Sequence, residues 1–286
     1  MAEAEPAIAE SIFTASDGYP LHVASWPALG ESRGRVVVLH GVQSHSGWYH
    51  GLGSRLAAAG YDASFPNRRG SGPNRQDRGH APSAVRLVDD VLEWIARLKA
   101  EAPALPVALG GISWGGKLAV LAAVRRPDLV AALALICPGL QPRVGVSLGE
   151  KLRIARAVFL NRRQTFPIPL ADPALFTDDP DKQEYIRTDP LGLREATAGL
   201  LLASFLIDRR IRRAPRKLTT PTLLMLAGRD RIVDNERTRR YFARIAAADR
   251  EIIEYSEGCH TLEFDPDPDR YADDLAAWLR PRMRTG

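Results

Sequence analysis

The feature that most restricts the fold is a glycine-rich segment around Ser113, where an apolar strand passes directly into a helix. The sequence VALGGISWGG at residues 107–116 contains the pattern Gly-x-Ser-x-Gly between strand-forming residues and a helical pattern. A turn this tight holds the serine in a strained conformation, and the flanking glycines leave space that a Cβ would fill. Ser113 is therefore predicted to project above the carboxyl edge of a sheet as a nucleophile. The alternative is a glycine-rich turn without chemistry.

The rest of the chain alternates short apolar strands with longer helical patterns. A predicted hairpin comes first, with SIFTAS and LHVASW on either side of Asp17-Gly18. Further strands are predicted at residues 35–39, 62–65, 106–109, 130–136, 221–226 and 251–255, and helices at residues 48–59, 115–125, 235–247 and 270–282. Another helix is predicted to begin after Ser83 as its N-cap. This alternation indicates an α/β fold with a mostly parallel sheet flanked by helices.

The alternation is interrupted between residues 138 and 215. This stretch consists of proline-punctuated, arginine-rich helical pieces with no predicted strand, after which the βα pattern resumes. We therefore predict a core domain of residues 1–137 and 216–286, with residues 138–215 inserted as a helical cap.

Positive charge is concentrated in the same insertion. The net charge is +5, and residues 143–217 carry 15 Lys and Arg against 9 Asp and Glu. A basic chain can bind nucleic acid, but no helix-turn-helix, RNP-type or zinc-finger pattern is present, so no nucleic-acid partner is predicted. The pairs Arg209-Arg210 and Arg212-Arg213 are typical of a solvated helix face. A weaker hypothesis is that the basic cap attracts an anionic head group or lipid surface.

The N-terminal segment, the apolar runs and the two cysteines indicate where the protein is located and whether it has disulfides. The opening MAEAEPAIAE has no basic region followed by an apolar one, so we expect the mature protein to begin near Met1. Apolar runs fall short of the roughly 18 to 20 residues that span a bilayer, which predicts a soluble, cytoplasmic protein. Two cysteines, Cys137 and Cys259, are too few for a disulfide framework or zinc site and are predicted to be free thiols.

A serine nucleophile needs a base, and His260 is the histidine best placed to provide it. It lies in the loop GCHT between the last predicted strand and the last helix, at the same sheet edge as Ser113. Asp230 follows an earlier strand and would orient the ring by accepting a hydrogen bond from Nδ1. Asp234 is the nearest rival, with a charge at a helix N-terminus as its simpler explanation. The predicted triad is Ser113, Asp230 and His260.

Acyl transfer also requires two N–H donors for the negatively charged oxygen of the tetrahedral intermediate. Trp114, the residue after the nucleophile, supplies one of them. The loop LHGVQSHSGW follows the strand at residues 35–39, and the backbone N–H of Val42 is the natural second donor. His40 is expected to brace this loop by hydrogen bonding, and His45 is assigned no role.

These segments resemble α/β-hydrolases of the monoacylglycerol lipase and lysophospholipase type, a group related to serine aminopeptidases. The resemblance covers essentially the whole chain and is carried by DGYPLHVASWPA, HGVQSHSGWYHGLGSRLAAAGYD, GGISWGG, AGRDRIVD and SEGCHTLEFD. It implies ester hydrolysis without a cofactor or metal, a helical cap over an apolar acyl pocket, and triad roles for Ser113, Asp230 and His260.

The chain departs from that family beside the nucleophile. Ile112 and Trp114 stand where His and Met are typical, and Asn67 replaces an acidic residue that usually opens the stretch after the following strand. A bulky Trp114 is expected to reshape the pocket floor and restrict the acyl group. The predicted substrate is a carboxylic ester with an apolar acyl chain, such as a monoacylglycerol or lysophospholipid, with chain length, alcohol and oligomeric state left open.

Other functions remain as alternatives. A peptidase or amidase could use the same triad, because the fold does not choose between leaving groups. A non-catalytic small-molecule binding protein on a hydrolase scaffold is the alternative from another class. A haloalkane dehalogenase or epoxide hydrolase would need a carboxylate where Ser113 stands.

Overall fold

A central eight-stranded sheet flanked by helices forms the core of the protein, in a computed structural model that describes residues 8–283. The strands are β1 (Ala9–Thr14), β2 (Pro20–Trp26), β3 (Arg35–Leu39), β4 (Asp62–Pro66), β5 (Val107–Ile112), β6 (Ala132–Ile136), β7 (Thr165–Pro167), β8 (Glu195–Thr197), β9 (Thr222–Ala227) and β10 (Arg250–Tyr255). The helices are α1 (His50–Ala58), α2 (Ala84–Glu101), α3 (Trp114–Arg125), α4 (Leu148–Leu160), α5 (Pro180–Thr188), α6 (Ala198–Ile211), α7 (Asn235–Phe242) and α8 (Pro268–Leu279). The expectation that the mature protein begins near Met1 concerns residues outside the described range.

The order of strands in the sheet is β1-β2-β4-β3-β5-β6-β9-β10. β2 pairs antiparallel with both β1 and β4, and the remaining neighbours are parallel. The predicted hairpin and mostly parallel sheet are therefore confirmed. Because parallel strands end at one edge, the loops after β3, β5, β9 and β10 open on the same side of the molecule.

Burial explains why the central strands read as continuous apolar runs. Every residue of β5 and β9 is buried, as expected for parallel strands covered on both faces. Helix α2 begins as predicted, since the hydroxyl of Ser83 accepts a hydrogen bond of 3.0 Å from the backbone N–H of Arg86. Each large apolar side chain buried in this core contributes roughly 1.5–3 kcal/mol to stability.

Three predicted helices differ from the structure by two or more residues at one end. The last of them, predicted at residues 270–282, is α8 and spans Pro268–Leu279. The helix predicted at residues 48–59 is a short 3-10 turn at Ser46–Trp48 followed by α1. The helix predicted to reach residue 247 ends at Phe242. Beyond it the chain turns so that Ile245 and Ala247 are both buried in the core, and this packing replaces the last helical turn.

The segment of residues 138–215 is not wholly helical as predicted. It contains α4, α5 and α6, but β7 and β8 form an additional antiparallel pair. Phe166 of β7 is buried against Ala157 and Ala198, so the pair completes a small apolar cluster of its own. The division of the chain into a core and a cap stays a prediction.

The described part of the chain contains neither a membrane-spanning helix nor a cluster of metal-ligating side chains. No helix among residues 8–283 is long and apolar enough to cross a bilayer. Within the same range, His, Cys, Asp and Glu side chains form no group of three that could hold a metal ion. Cys137 and Cys259 are free thiols, as predicted, and both are buried.

Candidate active site

Ser113 lies at the sharp turn between β5 and α3. Its backbone has φ 50° and ψ −122°, a conformation that non-glycine residues rarely adopt and that costs of order 1–3 kcal/mol. The turn is held by a 3.0 Å hydrogen bond from the Ser113 N–H to the Ile136 carbonyl. A Cβ at Gly115 would stand 2.3 Å from the Leu39 carbonyl oxygen, and one at Gly111 would stand 2.6 Å from a neighbouring Cα. Both glycines are thus needed for this turn.

The three side chains of the predicted triad are hydrogen-bonded in a row. His260 Nε2 lies 2.9 Å from Ser113 Oγ, and His260 Nδ1 lies 2.8 Å from Asp230 Oδ2. Both His260 and Asp230 are buried, whereas Ser113 is half-buried. The arrangement suits a ring that carries its proton on Nδ1 and accepts the serine proton at Nε2.

Asp230 rather than Asp234 reaches the histidine. The second carboxylate oxygen of Asp230 accepts 2.8 Å hydrogen bonds from the N–H groups of both Ile232 and Val233, which fix its orientation. Asp234 instead caps α7, where its side chain accepts a 2.9 Å hydrogen bond from the N–H of Arg237. The competing carboxylate therefore has the helix-terminal role that was its simpler explanation.

Val42 and Trp114 belong to two segments that meet at Ser113. Trp114 opens α3 directly after the serine, so its N–H is among the groups that a helix leaves without a partner. The loop after β3 approaches closely, since a Cβ at Gly41 would stand 3.4 Å from Ser113 Cβ. Neither N–H donates a hydrogen bond within residues 8–283. Two donors are thus available for a ligand oxygen.

His40 braces the loop after β3 as expected. Its Nδ1 donates to the Gly41 carbonyl at 2.8 Å, and its Nε2 accepts from the N–H of Arg68 at 2.9 Å. Burial, and then the positive charge of Arg68, hold the pKa of His40 well below its usual range. The ring is therefore neutral and serves as a fixed link between two loops.

His45, which had no assigned role, contacts the insertion. It donates from Nε2 to Asp189 at 3.1 Å and accepts at Nδ1 from the N–H of Gly47. The partner Asp189 lies just after α5, in the segment predicted to be the cap. Sequence reasoning missed this contact because the two residues are separated by 144 positions.

Arg68 is a second residue that the sequence did not single out. Its guanidinium donates to the carbonyls of Gly41 at 3.2 Å and Val42 at 2.9 Å, and it lies 4.9 Å from the centre of the Trp114 ring. The residue is only 8% exposed. Burial, together with the charge of Arg78, lowers the pKa of Arg68 to about 9. The only signal in the sequence was the doubled arginine in NRRG, whose other member, Arg69, pairs with Asp90.

A small cavity of about 10 Å³ adjoins Ser113. The apolar part of its wall includes Trp48, Leu170 and Phe176, and the last two come from residues 138–215. Gln43 also lines it; this side chain is 3% exposed and its Nε2 has no hydrogen-bond partner among the described residues.

Trp114 does not line this cavity in the described chain. Its indole Nε1 donates to Ser204 of α6 at 3.0 Å, and its ring lies against Arg68. The expectation that Trp114 reshapes the pocket floor is therefore not supported by its position. The side chain contacts the insertion instead.

Comparison with known proteins gives consistent matches in sequence and fold. Residues 30–267 match the sequence family described as serine aminopeptidase, S33. Monoacylglycerol lipase of Mycolicibacterium smegmatis is 25% identical over 272 residues, which cover 94% of this chain and 96% of the relative. Human monoglyceride lipase is 26% identical over 250 residues, or 86% of this chain and 82% of the relative.

Solved structures extend the likeness to three dimensions. Monoacylglycerol lipase from Paleococcus ferrophilus superposes with a TM-score of 0.80 at 26% identity, covering 92% of this chain and 99% of that one. A soluble variant of the Saccharomyces cerevisiae monoglyceride lipase, in complex with a substrate analogue, gives a TM-score of 0.86 at 17% identity and covers 99% and 98% of the two chains. The second match concerns the fold alone.

Proposed function

Since the chain belongs to the serine aminopeptidase family S33, whose members have the α/β-hydrolase fold, we propose that it cleaves carboxylic esters with an apolar acyl chain, using Ser113 as the nucleophile. The enzyme class, a serine ester hydrolase, follows from the family and its lipase relatives. The observation that carries the proposed site is the continuous hydrogen-bonded row from Ser113 through His260 to Asp230.

The first step forms an acyl-enzyme. Ser113 Oγ attacks the ester carbonyl while His260 Nε2 takes its proton, and Asp230 stabilises the imidazolium that results. The N–H groups of Val42 and Trp114 bind the oxygen that becomes negatively charged. When the tetrahedral intermediate collapses, the bond to the alcohol oxygen breaks and His260 returns the proton to that oxygen.

The second step releases the acid. Water enters the position vacated by the alcohol, His260 takes one of its protons, and the hydroxide attacks the acyl carbon. The same two N–H donors bind the second tetrahedral intermediate, which expels Ser113 Oγ as His260 gives back the proton. No step calls for a metal or an organic cofactor.

The lining of the cavity favours an ester substrate over a peptide with a free N-terminal ammonium group. Among the described residues that line it, none is Asp or Glu. An aminopeptidase must hold the ammonium group of its substrate, and a carboxylate is the side chain that pairs with it. The apolar wall formed with Leu170 and Phe176 instead suits a hydrocarbon chain. Monoacylglycerols are the substrate class that the names of the relatives suggest.

Gln43 supports a substrate that also has a polar part. A buried amide without a partner costs about 1–3 kcal/mol, and this one lines the cavity that contains Ser113. A hydroxyl or ether oxygen in the alcohol portion of the ester would accept its hydrogen bond. A glycerol-type alcohol meets that requirement.

Helix α4 supports association with a lipid surface. It exposes four large apolar side chains to solvent: Leu148, Leu152, Phe159 and Leu160. Lys151, Arg153 and Arg156 lie exposed on the same helix. Apolar anchors with flanking positive charge are typical of helices that lie in the interface of anionic membranes. Arg209 and Arg210, by contrast, are exposed at the end of α6, as expected for a solvated face.

The lipid-surface proposal is tested by sedimentation with vesicles. Phe159→Ser and Leu160→Ser together should reduce binding to phosphatidylglycerol-containing vesicles, and neutralising Arg209, Arg210, Arg212 and Arg213 should reduce it less. Equal binding by the native protein and the α4 variant would contradict a role for this helix.

Hydrolysis of p-nitrophenyl esters from acetate to a long acyl chain tests the catalytic proposal. The native protein should turn over at least part of the series, with an optimum that reports the length of the acyl pocket, and an aminoacyl p-nitroanilide should be a poorer substrate. Asp234→Asn serves as a control that removes a nearby carboxylate outside the triad. A protein that hydrolyses none of these esters would be a binding scaffold, and one that prefers the anilide would be an amidase.

A further inference from the structure

Arg68 is an unusual buried cation, and its position requires an explanation. Its two terminal nitrogens donate to the Gly41 and Val42 carbonyls, while Nε has no partner among the described residues. No carboxylate of the described chain is paired with it. Burying a guanidinium without a counter-charge lowers stability. Its presence is therefore better explained by what it does to the loop that carries Val42.

We propose that Arg68 is a positioning residue of the oxyanion hole, which it orients through the carbonyls of Gly41 and Val42. This inference rests on the proposed ester hydrolysis by Ser113. The carbonyl of Gly41 and the N–H of Val42 belong to the same peptide group, which is trans and planar. In a trans peptide the C=O and N–H bonds point in opposite directions. Holding the carbonyl on one side therefore directs the N–H of Val42 to the opposite side, which in the proposed site is that of Ser113.

Three contacts hold this part of the loop. The Gly41 carbonyl accepts from both Arg68 Nη1 and His40 Nδ1, and the next carbonyl, that of Val42, accepts from Arg68 Nη2. Two successive peptide groups are thus fixed by one guanidinium, which leaves Val42 little freedom in φ and ψ. A cation at the carbonyl oxygen also polarises the peptide group, so its N–H becomes a stronger donor.

The second donor is contacted by the same side chain. The guanidinium carbon lies 4.9 Å from the centre of the Trp114 ring, and the other end of that indole is hydrogen-bonded to Ser204. Arg68 thereby touches both residues whose N–H groups are proposed to bind the oxyanion. It does not line the cavity in front of Ser113, so it acts through these residues and not on the substrate itself.

The test compares Arg68→Met with Arg68→Lys and with Arg78→Met. Arg78 is a matched control, because it is also partly buried and donates only to carbonyls, those of Gly72, Leu191 and Gly192. The measurements are kcat and KM for one p-nitrophenyl ester, the inhibition constant of a trifluoromethyl ketone with the same acyl chain, and the melting temperature. The ketone adds to Ser113 and reports oxyanion binding directly.

Arg68→Met is expected to lower kcat about 10- to 100-fold with little change in KM, since a misplaced donor costs less than the 10²–10³ for a donor removed outright. The inhibition constant of the ketone should rise by a similar factor, while the melting temperature should not fall. Arg68→Lys should keep more activity than Arg68→Met. In Arg78→Met, both kcat and the affinity for the ketone should remain at the native values.

Several results would overturn the proposal. An unchanged kcat in Arg68→Met, or a rise in KM alone, would show that the guanidinium does not position the donors. A loss of activity that follows a fall in melting temperature in both Arg68→Met and Arg78→Met would indicate a structural role only. If the native protein neither hydrolyses esters nor binds the ketone, the proposed function itself fails and this inference fails with it.

Discussion

The carboxylate of Asp189 accepts a 2.8 Å hydrogen bond from the indole Nε1 of Trp48, which joins residues 138–215 to the loop that follows β3. The same oxygen accepts from His45 Nε2, and the other accepts from the N–H of Leu191 at 2.8 Å. Nearby, the N–H of Leu193 donates to the Gln43 carbonyl. The loop that carries Val42 is thus held from one side by Arg68 and from the other by the insertion.

Removing this carboxylate should destabilise the protein. Asp189→Ala leaves the buried donors of His45 and Trp48 without a partner, at a cost of about 2–4 kcal/mol in the free energy of unfolding. Asp189→Asn keeps an oxygen acceptor and should cost about 1 kcal/mol. Urea denaturation measures both values. Equal stability of the native protein and Asp189→Ala would contradict the anchoring role.

Acidification should weaken the same anchor. Burial raises the pKa of Asp189, but hydrogen bonds from His45 and Trp48 outweigh it and lower the pKa to about 2. The folded state therefore holds this proton less tightly than the unfolded chain, whose pKa is near 3.8. The stabilisation is fully present above about pH 4 and is lost as pH falls through about 2. As the pH is lowered from about 4 to about 2, the free energy of unfolding should fall more in the native protein than in Asp189→Asn.

The pKa of Asp265 should make folding stability depend on pH in the opposite direction. Burial raises its pKa to about 6, against the lowering effect of a hydrogen bond from the Cys259 N–H. The folded state thus holds this proton more tightly than the unfolded chain, so stability decreases as pH rises from about 3.8 to about 6. Asp265→Asn keeps an acceptor for Cys259 and should raise the melting temperature at pH 8 but not at pH 3.5. A variant that melts below the native protein at pH 8 would refute this.

The turn at Ser113 should not tolerate a methyl group at Gly115. The added carbon would lie 2.3 Å from the Leu39 carbonyl oxygen and 2.6 Å from that of His40, and backbone atoms cannot move aside cheaply. Gly115→Ala should cost about 3 kcal/mol, the upper end of the usual range for an added methyl group in a packed site, or displace Ser113. Gly149→Ala in α4 is the control, since its new carbon meets nothing within 4 Å and should stabilise the helix by about 0.5–1 kcal/mol. Native activity and stability in Gly115→Ala would contradict the described turn.

Gln43 should distinguish between alcohols. Gln43→Leu keeps the approximate shape of the side chain and removes the amide that lines the cavity. For a monoacylglycerol, kcat/KM should fall about tenfold, the equivalent of one hydrogen bond to a buried donor. For the p-nitrophenyl ester of the same acid it should change little. A loss that is equal for both esters would show that Gln43 does not contact the alcohol.

The sequence predicted the parts of the fold that depend on local patterns. The flanking Gly111 and Gly115, between an apolar strand and a helix, pointed to the turn at Ser113 because few other residues fit there. The strand order along the chain placed Asp230 and His260 at the same sheet edge. These features depend on neighbours in sequence and on the rule that parallel strands share an edge.

Other features depend on contacts that no local pattern encodes. Strands β7 and β8 have three residues each, too few for an alternating pattern, and they form by pairing Thr165 with Thr197. An arginine is usually exposed, so nothing in the sequence predicts that Arg68 is buried. Its burial follows from the approach of the loop after β3. The anchor at Asp189 likewise joins segments far apart in the chain. Such contacts are visible only once the fold is assembled.

Labelling with a fluorophosphonate, followed by peptide mass spectrometry, shows directly whether Ser113 is the nucleophile. The reagent reacts with a serine only when a base and an oxyanion site activate it. We expect one adduct, on the peptide that contains Ser113. It should be lost in Ser113→Ala and form much more slowly in His260→Ala, whereas Asp234→Asn should be labelled at the native rate. An adduct on a different serine, or no adduct on folded native protein, would contradict it.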